Sequence, residues 1–231
     1  MNSPFIADTV FYIGVNDKEL NLFGGQSPVS DGVSCNSYVI MDERTAVIHP
    51  ANEQTTGQWL AKLRKIMDGE PVDYLVISHP EPGCCAAVRS FMSEYPEAKL
   101  VGNVALLAGL KSELGREFDE RIYPVSDGSE LELGHHVLQF FMIPSNQQPE
   151  LMIVYESMEE LLFSADTAGA GRKWAEECQK RTEELPVQRV CPMYGPLQED
   201  REASGSMAPR MEHTGTRKSG FWKMFSGTRV S

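Results

Sequence analysis

The feature that most constrains the fold of this chain is an apolar segment that runs directly into a short polar motif. Residues 72–78 are mostly apolar, which predicts a buried strand. The motif that follows, His79-Pro80-Glu81-Pro82-Gly83-Cys84-Cys85, opens with an imidazole and a carboxylate. Residues 86–95 then carry apolar side chains at helical spacing. The sequence therefore predicts a strand, a loop that bears metal-ligand side chains, and a helix in immediate succession.

The rest of the chain alternates short strands with helices. Helical periodicity is also present in residues 54–67, 104–114 and 173–182. A hairpin is predicted where Gly134 separates residues 130–133 from residues 137–143. Further strands are predicted at residues 9–15, 37–40, 46–48, 99–101, 151–155, 161–163 and 188–191.

Composition limits the size and class of the protein. The 231 residues, of which 41% are hydrophobic, are enough for one well-buried core. No apolar run approaches the roughly 20 residues of a membrane-spanning helix, and residues 1–4 lack the pattern of a secretory signal. The five cysteines have no regular spacing, so no disulfide framework is predicted. We expect a cytoplasmic protein.

Charge is distributed unevenly along the chain. The net charge is −12, whereas residues 201–231 alone carry +4, so residues 1–200 carry −16. Such an acidic body argues against nucleic acid as a partner, because phosphate binding depends on clustered Lys and Arg. We expect residues 1–200 to form the folded domain and residues 201–231, which have linker composition, to form a flexible basic tail.

Near its end the tail carries three aromatic residues interspersed with two lysines. One interpretation is a solubilising end without a partner. The other is a docking segment for a protein, or for an acidic membrane surface, since exposed aromatic side chains usually mark an interaction. In this second interpretation Phe221, Trp222 and Phe225 anchor the partner, and Lys218 and Lys223 steer its approach.

Several segments, in chain order, resemble the lactamase-like domain of the flavodiiron proteins. The loop after the buried strand is similar to the H-x-E-x-D-H motif of that family. The other similar segments are residues 6–17, the G-x-S-x-N-S-Y strand at 32–40, the F-S-x-D segment at 163–166 and the P-x-H-G-P-like loop at 190–196. The resemblance spans about residues 6–197. It implies an α/β fold, the αββα sandwich of the metallo-β-lactamases.

In the flavodiiron family these motifs hold two irons. The resemblance implies that His79, Glu81 and Asp166 occupy three ligand positions of the first iron. Gln147 stands where a histidine is expected, and His49 lies where lactamase-like folds carry an aspartate just behind the metals. Together they form a candidate site for a single Fe²⁺ or Zn²⁺. The alternative is a metal-free pocket in which these residues hydrogen-bond one another, since buried carboxylates need partners.

The second iron position departs further from the family pattern. By the same resemblance, Gly83 replaces an aspartate, Cys84 replaces a histidine, and Tyr194 replaces the last histidine. Glycine has no side-chain ligand, whereas an iron pair that handles O₂ or NO needs carboxylates and imidazoles. A thiolate beside activated oxygen is also oxidised readily. We therefore expect no dinuclear chemistry, and our first expectation is that no metal is bound.

Two pairs of neighbouring residues invite a chemical interpretation. Cys84 and Cys85 lie at the start of a predicted helix, where the helix N-terminus lowers a thiol pKa and suggests redox activity. The alternative is that they are ordinary buried cysteines. His135 and His136 lie at the predicted hairpin turn, and we expect an exposed pair rather than metal ligands.

Two functions from different classes remain. The first is a non-catalytic binding, scaffold or regulatory module, a homodimer whose tail docks on a protein partner. The second is a single-metal sensor or oxidoreductase that responds to oxygen or NO, related to the oxygen-binding diiron proteins. Flavodiiron enzymes receive electrons from a flavodoxin-like domain that follows the lactamase-like one. About 35 residues follow Pro196 here, too few for that domain, so we expect no FMN.

Overall fold

The structure is a computed structural model that describes residues 5–17, 33–79, 83–143, 151–164 and 171–194. Within these ranges the chain forms fourteen strands and four α-helices. The strands are β1 (Phe5–Ala7), β2 (Val10–Tyr12), β3 (Val15–Asp17), β4 (Val33–Cys35), β5 (Tyr38–Ile40), β6 (Ala46–Ile48), β7 (Tyr74–Val76), β8 (Lys99–Asn103), β9 (Ile122–Val125), β10 (Glu130–Glu132), β11 (Val137–Met142), β12 (Met152–Glu156), β13 (Leu161–Ser164) and β14 (Arg189–Pro192). The helices are α1 (Thr56–Met67), α2 (Cys84–Glu94), α3 (Val104–Leu114) and α4 (Gly171–Thr182), with a 3₁₀ helix at Arg116–Arg121.

These strands form two main sheets. The first has the order β1-β2-β5-β6-β7-β8-β9, and the second has the order β10-β11-β12-β13-β14. In the first sheet β1 to β6 are antiparallel, whereas β6 to β9 are parallel. Parallel neighbours need long crossovers, and α1, α2 and α3 provide them. Strands β3 and β4 pair separately as a small hairpin-like sheet.

Three clusters of apolar side chains hold the layers together. The cluster between the two sheets contains Tyr38, Phe140 and Phe163, all fully buried. A second cluster, which includes Trp59 and Phe91, lies between the first sheet and helices α1, α2 and α3. A third packs α4 against the outer face of the second sheet. Helices therefore cover both outer faces, and the predicted αββα sandwich is confirmed.

The strand predicted over residues 9–15 is interrupted. β2 ends at Tyr12, and β3 begins at Val15 in a different sheet. Between them, the amide of Ile13 donates to the carbonyl of Ser37, 2.8 Å away, and the carbonyl of Gly14 accepts from Lys62 Nζ rather than from a neighbouring strand. The sequence pattern could not show this switch, because the competing partners lie far along the chain.

The prediction that His135 and His136 form an exposed pair is wrong for His136. His135 is exposed, but the His136 side chain is only 1% exposed. Its Nδ1 lies 3.0 Å from Oε1 of the fully buried Glu156, and its Nε2 lies 2.7 Å from Thr9 Oγ1. The backbone amide of His136 donates to Asp42 Oδ2 at 2.7 Å. The hairpin turn thus folds inward over one edge of the sandwich, where His136 contacts Thr9 and Asp42 at the ends of strands of the first sheet.

Burial lowers the pKa of the His136 imidazole, but the hydrogen bond to Glu156 and the charges of Glu156, Asp42 and Glu159 more than offset it, so the net shift is upward. The protonated imidazole is therefore favoured in the folded state. Its contribution to stability is fully present below the pKa of an unfolded histidine, about 6.5. It is lost as the pH rises through the raised folded pKa.

We expect His136→Gln to lower the free energy of unfolding by about 3 kcal/mol at pH 6, because Glu156 would be left buried without its cation. The loss should shrink as the pH rises, and the variant should lose this component of the pH dependence. Denaturant unfolding between pH 6 and pH 9 measures both effects. The matched control is His135→Gln, at the exposed neighbour, which should change stability by less than about 0.5 kcal/mol. An unchanged pH profile in His136→Gln would contradict the prediction.

Candidate functional site

Two neighbouring parallel strands place the candidate site at one edge of the first sheet. Ile48 pairs with Val76 at the ends of β6 and β7. Strand β6 then continues into His49, and β7 continues through Ser78 into His79. The amide of His49 donates to the carbonyl of Val76 at 2.9 Å. The two histidines singled out in the sequence therefore follow adjacent strand ends and lie on the same edge of the sheet.

His49 has an unusual backbone conformation. It is fully buried and has a φ of 64°, in the left-handed region that side chains other than glycine seldom occupy. Ser37 Oγ donates to the carbonyl of His49 at 2.6 Å and accepts from Trp59 Nε1 at 2.9 Å. Backbone strain of this kind persists only where surrounding contacts hold it. Here Ser37 and the indole of Trp59 provide them.

The side chain of His49 is held by Ser78. Its Nε2 lies 2.6 Å from Ser78 Oγ. Burial, and secondly the neighbouring His79, lower the pKa of His49 to about 3, so the imidazole is neutral at physiological pH. Its Nδ1 is buried and has no hydrogen-bond partner within the described residues. A neutral imidazole nitrogen of this kind suits a metal or a hydrogen-bonding ligand.

Ser78 also connects the site to the second sheet. Its carbonyl accepts from the amide of Met152, the first residue of β12, at 3.1 Å. Ser78 is a site residue that the sequence motifs did not indicate. Its position immediately before His79 at a strand end was the available signal, but the partner that gives it a role, His49, is 29 residues away.

The first turn of α2 is shaped by packing. Gly83 has a φ of 83° and directly precedes the helix. A Cβ added there would lie 3.5 Å from Glu53 Cβ and 3.9 Å from Glu53 Oε2. Cys84 is only 2% exposed and packs in the apolar cluster beneath the helices. Neither residue offers a carboxylate or an imidazole, and an acidic side chain at Gly83 would face the carboxylate of Glu53.

The adjacent cysteine does not have the lowered pKa predicted from its place in the sequence. Burial, followed by a hydrogen bond to Glu113 and the neighbouring charges, raises the pKa of the Cys85 thiol to about 12. Cys84 and Cys85 are both free thiols.

Tyr194 is brought to the same edge of the sandwich. It forms an antiparallel bridge with Cys35, whose Sγ lies 3.7 Å from the carbonyl of Pro50, the residue after His49. Next to this bridge the amide of Asn36 donates to the carbonyl of Met193 at 2.8 Å. The two segments that resemble family motifs are therefore joined by backbone hydrogen bonds.

Several predicted site residues lie outside the described ranges. Those of the candidate metal site are Glu81, Gln147 and Asp166, and those of the tail are Lys218, Phe221, Trp222, Lys223 and Phe225. The boundary predicted at residue 200 lies there too. The described ranges themselves contain no group of three or more His, Cys, Asp or Glu placed to hold a metal. Nor do they contain a helix both long and apolar enough to cross a bilayer.

Comparison with known proteins gives one consistent result. The family model described as "ODP family beta lactamase" matches residues 33–192. Diflavin flavoprotein A 1 from Synechocystis sp. is 27% identical over 82% of this chain. A nitric oxide reductase from Moorella thermoacetica is 29% identical over 73% of it. The crystal structure of the flavodiiron protein from Giardia intestinalis superposes with a TM-score of 0.74 at 19% identity, covering 84% of this chain and 55% of that one.

Coverage of the relatives is partial. The matched regions are 32% of the Synechocystis protein and 43% of the Moorella protein. This chain thus spans less than half the length of these curated relatives. At 19% identity the Giardia structure is similar in fold alone.

The positive φ at Gly83 leads to a testable expectation. Gly83→Ala should lower the free energy of unfolding by about 1 kcal/mol, because an L side chain is strained in the left-handed region. The matched control is Gly109→Ala in the middle of α3, where an added Cβ meets nothing within 4 Å. It should raise stability by about 0.5–1 kcal/mol, the usual gain in a helix interior. Denaturant unfolding measures both variants, and equal effects of the same sign would contradict the expectation.

Proposed function

Because the chain belongs to the ODP family of β-lactamase-like domains, we propose that it is a flavodiiron-type lactamase-like domain that acts as a non-catalytic binding or regulatory module. The observation that carries this proposal is the start of α2. There the family resemblance calls for an aspartate and a histidine. The chain instead has Gly83 in a left-handed turn and Cys84 buried in the core.

The physical argument concerns the second iron position. A metal that binds oxygen or NO there needs hard or imidazole ligands and an open coordination position. Gly83 supplies no donor atom, and the Cys84 side chain is committed to the apolar cluster between α2 and the first sheet. The carboxylate of Glu53 beside Gly83 also disfavours an acidic ligand, because two carboxylates in close contact repel each other. The residues present do not fit a two-iron centre.

The second candidate function is a single-metal sensor or oxidoreductase that responds to oxygen or NO. One observation favours it specifically: His49 is neutral and buried, and its Nδ1 has no hydrogen-bond partner among the described residues. In this candidate His79, Glu81 and Asp166 hold one Fe²⁺ or Zn²⁺, with Gln147 and His49 as additional donors. The metal would supply an open position for a diatomic ligand. His49 needs no deprotonation to take part, which favours binding at neutral pH.

As a module, the protein would act in the cytoplasm as a homodimer and contact a protein partner through its basic aromatic tail. The acidic net charge supports a protein partner over nucleic acid. An acidic membrane surface is an alternative partner for the same tail. The names of the relatives point to NO and flavin chemistry for those proteins, but electron transfer does not enter the proposed role of this chain, which needs neither FMN nor a bound metal.

Metal content separates the two candidates. Purified full-length protein should carry well below one iron per chain and no diiron absorption band, with or without added Fe²⁺ or Zn²⁺. Elemental analysis and absorption spectroscopy measure this directly. Two tightly bound irons per chain would overturn the proposal. One metal per chain that is lost in His79→Ala, but kept in the exposed control His135→Ala, would establish the single-metal candidate instead. Circular dichroism of both variants confirms that the fold is retained.

Restoring the family ligands gives a complementary test. The changes Gly83→Asp, Cys84→His, Gln147→His and Tyr194→His together should raise metal uptake if the backbone frame is kept. Because the new carboxylate at position 83 would face Glu53, we expect uptake to rise further when Glu53→Gln is added. Titration with Fe²⁺ under anaerobic conditions measures both proteins. If adding Glu53→Gln leaves Fe²⁺ uptake unchanged, the carboxylate of Glu53 does not oppose an aspartate at position 83.

A further inference from the structure

A cleft of about 470 Å³ lies on the face of the first sheet that carries the helices. It lies at the C-terminal ends of α1 and α2 and is bounded by the segments that lead into β7 and β8. This places it at the edge of the sheet opposite His49 and His79. Its volume falls within the roughly 300–1,000 Å³ typical of ligand pockets in proteins.

The floor of the cleft is apolar. Met67 and Val72 are each 2% exposed, and the half-buried ring of Tyr95 completes the lining from the side of α2. Pro71 and Pro96 form exposed apolar edges. A surface of this kind has room for an aromatic side chain, which gains more from burial than any other type of side chain.

The rim of the cleft is acidic. It carries Glu70, Glu94 and Glu97, against Arg64 as the one cation among the described residues that line it. Arg64 Nε is already paired with Glu94 Oε1 at 2.7 Å. Glu70 and Glu97 are exposed and form no salt bridge within the part of the chain that the structure describes.

Arg121 is another cation near this edge. Its guanidinium donates to the carbonyls of Met92, Tyr95 and Ala98. It therefore satisfies the C-terminal end of α2, although it also lies in the field of Glu97. Two carboxylates on the rim, Glu70 and Glu97, remain for an external cation.

A segment of this same chain has the complementary chemistry. Residues 218–225, Lys-Ser-Gly-Phe-Trp-Lys-Met-Phe, place two aromatic side chains between two lysines and a third, Phe225, just after them, in a tail of net charge +4. We propose that this segment docks in the cleft of its own chain, with Phe221 or Trp222 on the apolar floor and Lys218 and Lys223 against Glu70 and Glu97. The pairing combines burial of an aromatic anchor with charge complementarity at the rim.

The length of the tail permits this docking. About two dozen residues separate Tyr194, the last described residue, from Lys218, and at about 3.3 Å per residue they can span up to roughly 80 Å. A domain of this size has a radius of gyration of about 16 Å. The segment can therefore reach any face of its own domain, and tethering raises its effective concentration there.

Docking would give the tail a regulatory role beyond the proposed binding function. A docked tail hides the aromatic residues that would anchor a partner, so a partner must compete with the cleft for them. Release of the tail would be favoured by salt, since the rim contacts are exposed ion pairs.

The test uses the full-length chain with a photoreactive residue, Phe221→p-benzoylphenylalanine. After irradiation at low protein concentration, mass spectrometry should map the main cross-link within a single chain to residues 64–72 or 94–97. A cross-link confined to other surfaces, or no cross-link within a chain, would overturn the proposal. Cross-linked dimers in place of intramolecular products would also overturn it, since the cleft would then receive the tail of a second copy.

Charge reversal supplies the control. Glu70→Lys with Glu97→Lys should lower the yield of the cleft cross-link about fivefold, the effect expected from losing two exposed ion pairs. Glu183→Lys with Glu184→Lys makes the same charge change at exposed positions just after α4, on the other outer face, and should leave the yield within about twofold. Equal losses in both double variants would show that general electrostatic attraction, and not this cleft, holds the tail. Unfolding midpoints of the variants confirm that each is folded.

Discussion

The parallel pairing of β6 with β7 is the interaction on which the candidate site depends. It places Ile48 opposite Val76, so the two chain segments leave the sheet together and bring His49 beside Ser78 and His79. The crossover through α1 is what allows parallel neighbours, and α1 is in turn fixed by its buried apolar face. Packing of Trp59 against Phe91, in the apolar cluster between the first sheet and its helices, therefore determines the geometry of the polar site at His49 and Ser78.

The same polar atoms serve both packing and the site. Trp59 Nε1 donates to Ser37 Oγ, and Ser37 holds the carbonyl of the left-handed His49. A buried donor or acceptor without a partner is costly. These two hydrogen bonds therefore restrict the backbone conformation at His49, because any other conformation would leave buried polar atoms unpaired. One nitrogen of His49, Nδ1, is buried without a hydrogen-bond partner among the described residues.

The two ends of the parallel strands have different characters. The end that carries His49 and His79 is organised around the neutral, buried imidazole of His49 and the buried hydroxyl of Ser78. The opposite end carries the buried pair of His136 and Glu156, and the cleft with its acidic rim. Residues 1–200 carry an excess of carboxylates, and those without a cationic partner lie at the surface, where they attract positively charged segments. Residues 201–231, with a net charge of +4, are such a segment of the same chain.

Local sequence was sufficient for much of the fold. The periodicity of residues 104–114 predicted α3 with its bounds unchanged, and Asn103 caps it by accepting from the amide of Leu106. The αββα class also followed from the family resemblance, which placed His49 beside the candidate metal site. The sequence did not determine the burial of His136, the break after Tyr12, the role of Ser78 or the raised pKa of Cys85. Each of these depends on a partner far along the chain, and only tertiary packing decides which distant groups meet and how far water is excluded from them.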